Sequence, residues 1–318
     1  MEKYLLKLDY LKSLAGNNIK IVDEKTLLHV AWKNWRKIRK YVYRKFKISN
    51  MEDLIKSIVI KKIKKEDLME LLKTVVEVTI DDYNEVKEME KKNISIISVF
   101  DKNYPEELLN MKEITENIYP PLILYHRGAL KNLNEAPCIA VVGTRKCSDN
   151  GFLMAKNIGK LIAEMKFILV TGFAKGIDTG ATQGAIEANG KVIEVRPWLD
   201  PIGPAYNRDL IPKILKNGCF IAENFKMMNS PTWIRMQYQL RNRIISGISK
   251  LVIIVEARPK GGSMHQVEYA LKRKKPVLIW EPQNNAEFKE AYRIYISQGA
   301  KSFKTLEELE ELIKQYIS

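Results

Sequence analysis

The chain has 318 residues, 46% of them hydrophobic, and a formal net charge of +15 at pH 7. That length and apolar fraction support one large or two modest domains with a buried core and exclude a chain that is mainly disordered. Apolar runs stay well below the ~18 residues of a membrane span, MEKYLLKLDYLKSL is broken by charges too often for a secretory leader, and the three Cys and three His form no paired motif, so the expectation is a soluble cytoplasmic protein without disulfides, metal or cofactor.

The excess of 53 Lys and Arg over 38 Asp and Glu favours a polyanionic partner, because clustered bases gain affinity by releasing counterions from a phosphate backbone. The alternative is a general Lys, Ile and Asn bias of the whole sequence. Residues 1–92 contain almost no glycine or proline and run at helical period, as in MEDLIKSIVIKKIKKEDLMELLKTVVEV (51–78), which predicts an all-helical N-terminal domain. Within it WKNWRKIRKYVYRKFK (32–47) has eight bases and no acid, interleaved with Trp32, Trp35, Tyr41, Tyr43 and Phe46. Two readings stay open: a nucleic-acid face, or core aromatics with a solvated basic edge. The charged stretch 81–92 is the expected boundary, so that residues 93–318 form the second domain.

From 94 onward short apolar runs at 94–99, 139–142, 167–170, 192–195, 219–222, 251–255 and 277–280 alternate with helical segments, which predicts an α/β fold with a mostly parallel sheet covered on both faces. Ligands of such a sheet sit outside the carboxyl ends of the strands. The first of these ends carries VVGTRKCSDNG (141–151): Gly143 for a sharp turn, Thr144 with a hydroxyl, Arg145 with a planar five-donor fork, then a helix whose free N–H groups favour an anion. Alone it is equally a turn with a surface charge. The second, TGFAKGIDTGATQGAI (171–186), repeats the logic with Gly172, Lys175 and Gly176, and with Asp178 or Thr179 to cap or order the helix. WIRMQYQLRNRIISGIS (233–249) places Arg241 and Arg243 before a buried strand, either facing a ligand or paired with carboxylates, with Asn242 then a structural hydrogen-bonder. That strand ends in RPKGGSMHQ (258–266), with Lys260, Gly261, Gly262 and Ser263 ahead of a helix. Three small, basic strand ends on one edge of a parallel sheet point to a phosphate-bearing ligand.

The ordered series YPEELL (104–109), PPLILYHRGAL (120–130), VVGTRKCSDNG (141–151), TGFAKGID (171–178), RNRIISGIS (241–249), VEARPKGGS (255–263) and SQGAK (297–301) resembles the DprA/Smf family. The resemblance implies an extended Rossmann-like domain that binds single-stranded DNA, usually as a homodimer, and delivers it to a RecA-type recombinase during uptake or repair of DNA, with no reaction of its own. By position, Gly143, Thr144 and Arg145 stand where the family has Gly-Ser-Arg, and Ser148 and Gly151 match. Thr171 replaces a serine, Gly172, Gly176 and Asp178 are unchanged, and Lys175 keeps a base. Arg241, Asn242, Arg243, Glu256, Gly262 and Ser263 match, and Tyr238 stands for a phenylalanine. The sequence departs at Ala181-Thr182, Gln266-Val267 and Gln239, and neither the family's small N-terminal helical module nor its C-terminal winged helix is recognisable.

The expected binding set is therefore Gly143, Thr144, Arg145, Ser148, Thr171, Gly172, Lys175, Gly176, Tyr238, Arg241, Arg243, Lys260, Gly262 and Ser263, with Tyr238 or Trp233 stacking on a base. Two alternatives use the same crevice: a sensor of a small nucleotide or nucleotide-sugar, or a lysine-decarboxylase-like nucleotide phosphoribohydrolase, whose Gly-Gly loop Gly261, Gly262 and Glu268 imitate. A nicotinamide dehydrogenase fits least, because the first loop lacks G-x-G-x-x-G and no acid ends FILV.

Overall fold

The computed structural model describes residues 23–109, 119–227, 230–259, 261–282 and 285–317. They fall into two compact units: those through Tyr104 with 119–125 make the first, and 105–109 with those from His126 onward make the second.

In the first unit five helices follow the predicted period: α1 (Glu24–Lys33), α2 (Trp35–Phe46), α3 (Met51–Val59), α4 (Lys65–Val75) and α5 (Ile80–Lys91), ahead of strand β1 (Ser95–Ser98). Three of their starts, those of α1, α3 and α5, are capped by short polar side chains. Asp23 accepts from Thr26 N, Asn50 from Asp53 N, and Thr79 forms a reciprocal capping box with Asp82. That box makes the charged stretch expected as a boundary into the regular helix α5. Leu27, Leu28, Leu54, Ile55, Leu68 and Leu72, at helical spacing, form the buried faces.

The second unit begins with α6 (Glu106–Leu109) and the end of β2 (Ile123–Gly128). Then come β3 (Cys138–Val142), α7 (Asp149–Glu164), β4 (Ile168–Thr171), α8 (Ile177–Glu187), β5 (Lys191–Arg196), α9 (Ile211–Asn217), β6 (Cys219–Ala222), α10 (Pro231–Ile248), β7 (Leu251–Ile254), α11 (Ser263–Lys272), β8 (Val277–Trp280), α12 (Ala286–Ser297), β9 (Lys301–Phe303) and α13 (Leu306–Ile317). β3 to β9 are parallel in the order β6-β5-β4-β3-β7-β8-β9. In register, Ile139 of β3 faces Leu169 of β4 on one side and Leu251 of β7 on the other. Helices cover both faces, so β3 and β7 are apolar throughout and all five residues of β3 are buried, while β4 ends in Thr171 and β5 carries the buried Glu194 and Arg196. One core cluster joins Ile139, Leu169 and Leu251 to Ile158 of α7, Ala181 of α8 and Leu309 of α13.

This is the expected α/β architecture, a Rossmann-like mostly parallel sheet preceded by a helical region. The seven predicted strands appear within a residue or two of their apolar runs. β2 and β9 were not anticipated; β9 has three residues, two of them exposed, and so lacks a periodic signal. The chain winds outward from β3 through β6 and then returns to the other side of β3 with β7. Strand order therefore reverses between β3 and β7, which leaves a crevice at their carboxyl ends.

Candidate nucleic-acid interface

A cleft of about 620 Å³ opens at that reversal, walled by the loops after β3, β4 and β7 and by one face of α10. Glu256, just past β7, fastens the first loop. Its carboxylate accepts from Ser148 N at 2.8 Å and Ser148 Oγ at 2.6 Å, and its carbonyl accepts from Thr144 N at 2.7 Å. Ser148 Oγ in turn caps α7 by accepting from Gly151 N. The second loop closes on the first at Gly176. With φ of +85° this position suits glycine, and an added Cβ would meet Thr144 O at 2.5 Å. Asp178 then organises the turn, accepting from Gly172 N at 3.0 Å and Ala174 N at 3.3 Å.

Three side chains give the cleft its electrostatic character. Arg241 of α10 is 6% exposed, and its Nε and Nη1 are buried with no hydrogen-bond partner. Burial pushes its guanidinium down to about 10, while the Asp178 charge opposes the shift, so it remains a cation at neutral pH. Asp178 is pushed upward by its own burial, against the pull of Arg241. Arg145 is exposed on the first loop and, among the described residues, forms no salt bridge. Both guanidinium carbons stand 5.8 Å from the ring centroid of Tyr238, which is itself edge-on to Trp198. A half-buried phenol ring within 6 Å of two guanidinium groups places an aromatic surface beside cations that suit phosphate.

Behind the loops lies a buried polar layer. Glu194 of β5 accepts from Thr171 Oγ1 and Thr182 Oγ1, both at 2.6 Å, and burial pushes its carboxyl up to about 7. Arg196, also buried, donates to Gly172 O at 3.2 Å. These groups hold the backbone on which Arg241 rests.

The cleft lining brings together Gly143, Thr144, Arg145, Tyr238, Arg241, Gly262 and Ser263 from the expected set. Gly172 and Gly176 shape the second loop beneath it. Three expected ligands are committed elsewhere. Thr171 is fully buried on Glu194, and Ser148 Oγ is held by Glu256. Arg243 is fully buried in a bidentate pair with Glu223, at 2.8 and 2.6 Å, so the carboxylate-pairing alternative describes it and the ligand role does not. Lys175 is exposed on its loop outside the lining, Trp233 is half-buried outside it, and Lys260 lies outside the described residues. Asn242, whose Nδ2 reaches Gly262 O at 3.4 Å, both lines the cleft and ties α10 to the third loop. Sequence reasoning missed Arg235, Arg258 and His265 in the lining. For Arg235 a signal existed: it precedes Tyr238 by three and Asn242 by seven, one helical face.

Residues 95–314 match the model of the family described as DNA recombination-mediator protein A. The protein Smf of Synechocystis is 31% identical over 195 residues, 60% of this chain and 47% of that protein, so the chain spans about half of this relative's length. The structure of DNA processing protein A from Streptococcus pneumoniae superposes with a TM-score of 0.64 at 26% identity, covering 91% of this chain and 95% of the other. That of DNA processing protein A from Helicobacter pylori, described for its single-stranded DNA binding mode, gives 0.59 at 26% identity, with 70% and 97% covered.

Proposed function

The chain belongs to the DNA recombination-mediator protein A family, and on that premise we propose that its cleft binds single-stranded DNA with low sequence preference. One observation carries the reading: Arg241 is a buried guanidinium with unpartnered N–H groups, facing a cleft whose rim adds Arg145 beside the ring of Tyr238. Leaving charged donors unpaired in a protein interior is costly, and an anionic ligand removes the cost. In this account Arg241 and Arg145 take phosphates, Arg235 extends the cationic rim, Arg258 joins it by exchanging its exposed pairing with Glu287 for a phosphate, and the backbone at Gly261, Gly262 and the start of α11 approaches the strand closely. Tyr238 stacks on a base. The single-stranded DNA binding named for the Helicobacter pylori relative supports a strand as the ligand.

The proposed role is binding and processing of DNA without a reaction at this site. Homodimerisation and delivery of the strand to a RecA-type recombinase are its finer parts; they rest on the family resemblance and are tested by sedimentation and by recombinase loading on coated strands. A titration with single strands, duplex and mononucleotides at matched ionic strength tests the core of the reading. Single strands bind tightest if it holds. Mononucleotides binding as tightly as strands would move the assignment to a nucleotide sensor.

A further inference from the structure

The outer face of α2 is not absorbed by the cleft. Tyr43 is 52% exposed there, with Arg39 and Lys40 beside it at i−4 and i−3, Arg44 next in sequence and Lys47 at the left-handed C-cap of the helix. Lys47 Nζ lies 5.8 Å from the Tyr43 centroid, and Lys40 and Arg44 bracket the neighbouring Tyr41 at 4.9 and 5.9 Å. Among the described residues none of these four cations forms a salt bridge, whereas Lys45 on the same helix pairs with Glu70 and Lys33 on α1 with Asp82 and Glu85. The opposite face, Ile38 and Val42, is buried.

We propose that this face of α2 is a second binding surface, for the sugar-phosphate backbone of single-stranded nucleic acid, centred on Tyr43. General lysine enrichment does not account for it, because charge is segregated within the unit: α2 has six bases and no acid, while α5 has five acids and two bases. The like charges Lys40 and Arg44 stand at i, i+4 spacing, an arrangement that weakens an isolated helix and that a polyanion relieves. An interfacial membrane helix would turn apolar side chains outward, yet here the aliphatic residues are inward and the exposed ring is a tyrosine beside cations. Rings interleaved with bases suit a strand with unstacked bases. This surface does not depend on the cleft in the second unit.

The test uses the full chain carrying Arg39→Ala, Lys40→Ala and Arg44→Ala together, Tyr43→Ala alone, and each of these again with Arg145→Ala. Fluorescence anisotropy follows a long single strand and a duplex across a salt series, and circular dichroism checks that helix content is retained. The triple variant should weaken strand binding on the order of tenfold and reduce the salt slope by about 2, three phosphates at ~0.7 each. It should do so equally in the Arg145→Ala background. Tyr43→Ala should weaken single strands several-fold and leave duplex unchanged. A folded triple variant with unaltered affinity and slope overturns the proposal, as does a Tyr43→Ala variant that binds both ligands like the parent. An effect of the triple variant with none from Arg145→Ala would sink the cleft reading and leave this one standing.

Discussion

Arg241 lies directly against Gly172: a Cβ on residue 172 would overlap the Arg241 Nη1 atom. The loop after β4 therefore supplies the floor on which the buried guanidinium rests. Gly172→Ala should expel the guanidinium, which is the movable end of a long side chain, and so lower strand affinity by about 1.5–3 kcal/mol, the range for hydrogen bonds to charged groups. Stability should change by less than the binding does. A variant that binds like the parent would mean that Arg241 is not a ligand group.

Arg243, two residues on, answers to different forces. It is enclosed with Glu223, so Arg243→Ala leaves a buried carboxylate unpaired and should cost about 3–5 kcal/mol of stability in denaturant unfolding. Strand affinity, measured where the variant is still folded, should stay near the parent value. A large affinity loss without destabilisation would return Arg243 to the binding set.

Stability should depend on pH through Glu194. Its carboxyl is raised in the fold to about 7 from an ordinary value near 4.5, so its contribution is fully present below that ordinary value and is lost as pH rises through about 7. At ~1.4 kcal/mol per pH unit the loss is about 3 kcal/mol. Glu194→Gln removes the titration, and its amide nitrogen can donate to Thr182 Oγ1, whose hydroxyl already reaches Asp178 O at 2.9 Å. The stability of the Gln variant relative to the parent should therefore increase between pH 5 and pH 8.5. A constant difference across that range would show that Glu194 does not titrate there.

Ser148→Ala removes the cap of α7 and one of the two bonds to Glu256. About 1 kcal/mol of stability should go with it. Affinity should fall only as far as the first loop loosens, by much less than for Arg145→Ala; equal losses in the two variants would place the hydroxyl on the ligand.

These cases also show what was legible in the sequence. Apolar runs announced seven of the nine strands, and small residues after β3, β4 and β7 announced the loops, because burial on both faces and tight turns restrict residue type locally. The fate of each polar side chain was not legible. Ser148, Thr171 and Arg243 have the chemistry of phosphate ligands, but Glu256, Glu194 and Glu223, which take them, are 108, 23 and 20 residues away and are juxtaposed only by strand order. Arg145 and Arg241 differ from Arg243 in lacking such a hydrogen-bonded carboxylate, and no spacing rule conveys that. Arg258 and His265 reach the cleft through the path of the third loop, which residue types alone leave undetermined.

The most direct test of the central claim compares the parent, Arg145→Ala and Arg145→Lys by anisotropy with single-stranded DNA and by thermal melts. Arg145 is exposed and without a salt bridge among the described residues, so alanine should leave the melting temperature unchanged and weaken binding by about 1.5–3 kcal/mol. Lysine should restore the salt dependence more fully than the affinity, since it returns the charge without the planar fork. Unchanged strand binding by the alanine variant, with or without a lowered melting temperature, would contradict the assignment of the cleft as the site that holds DNA.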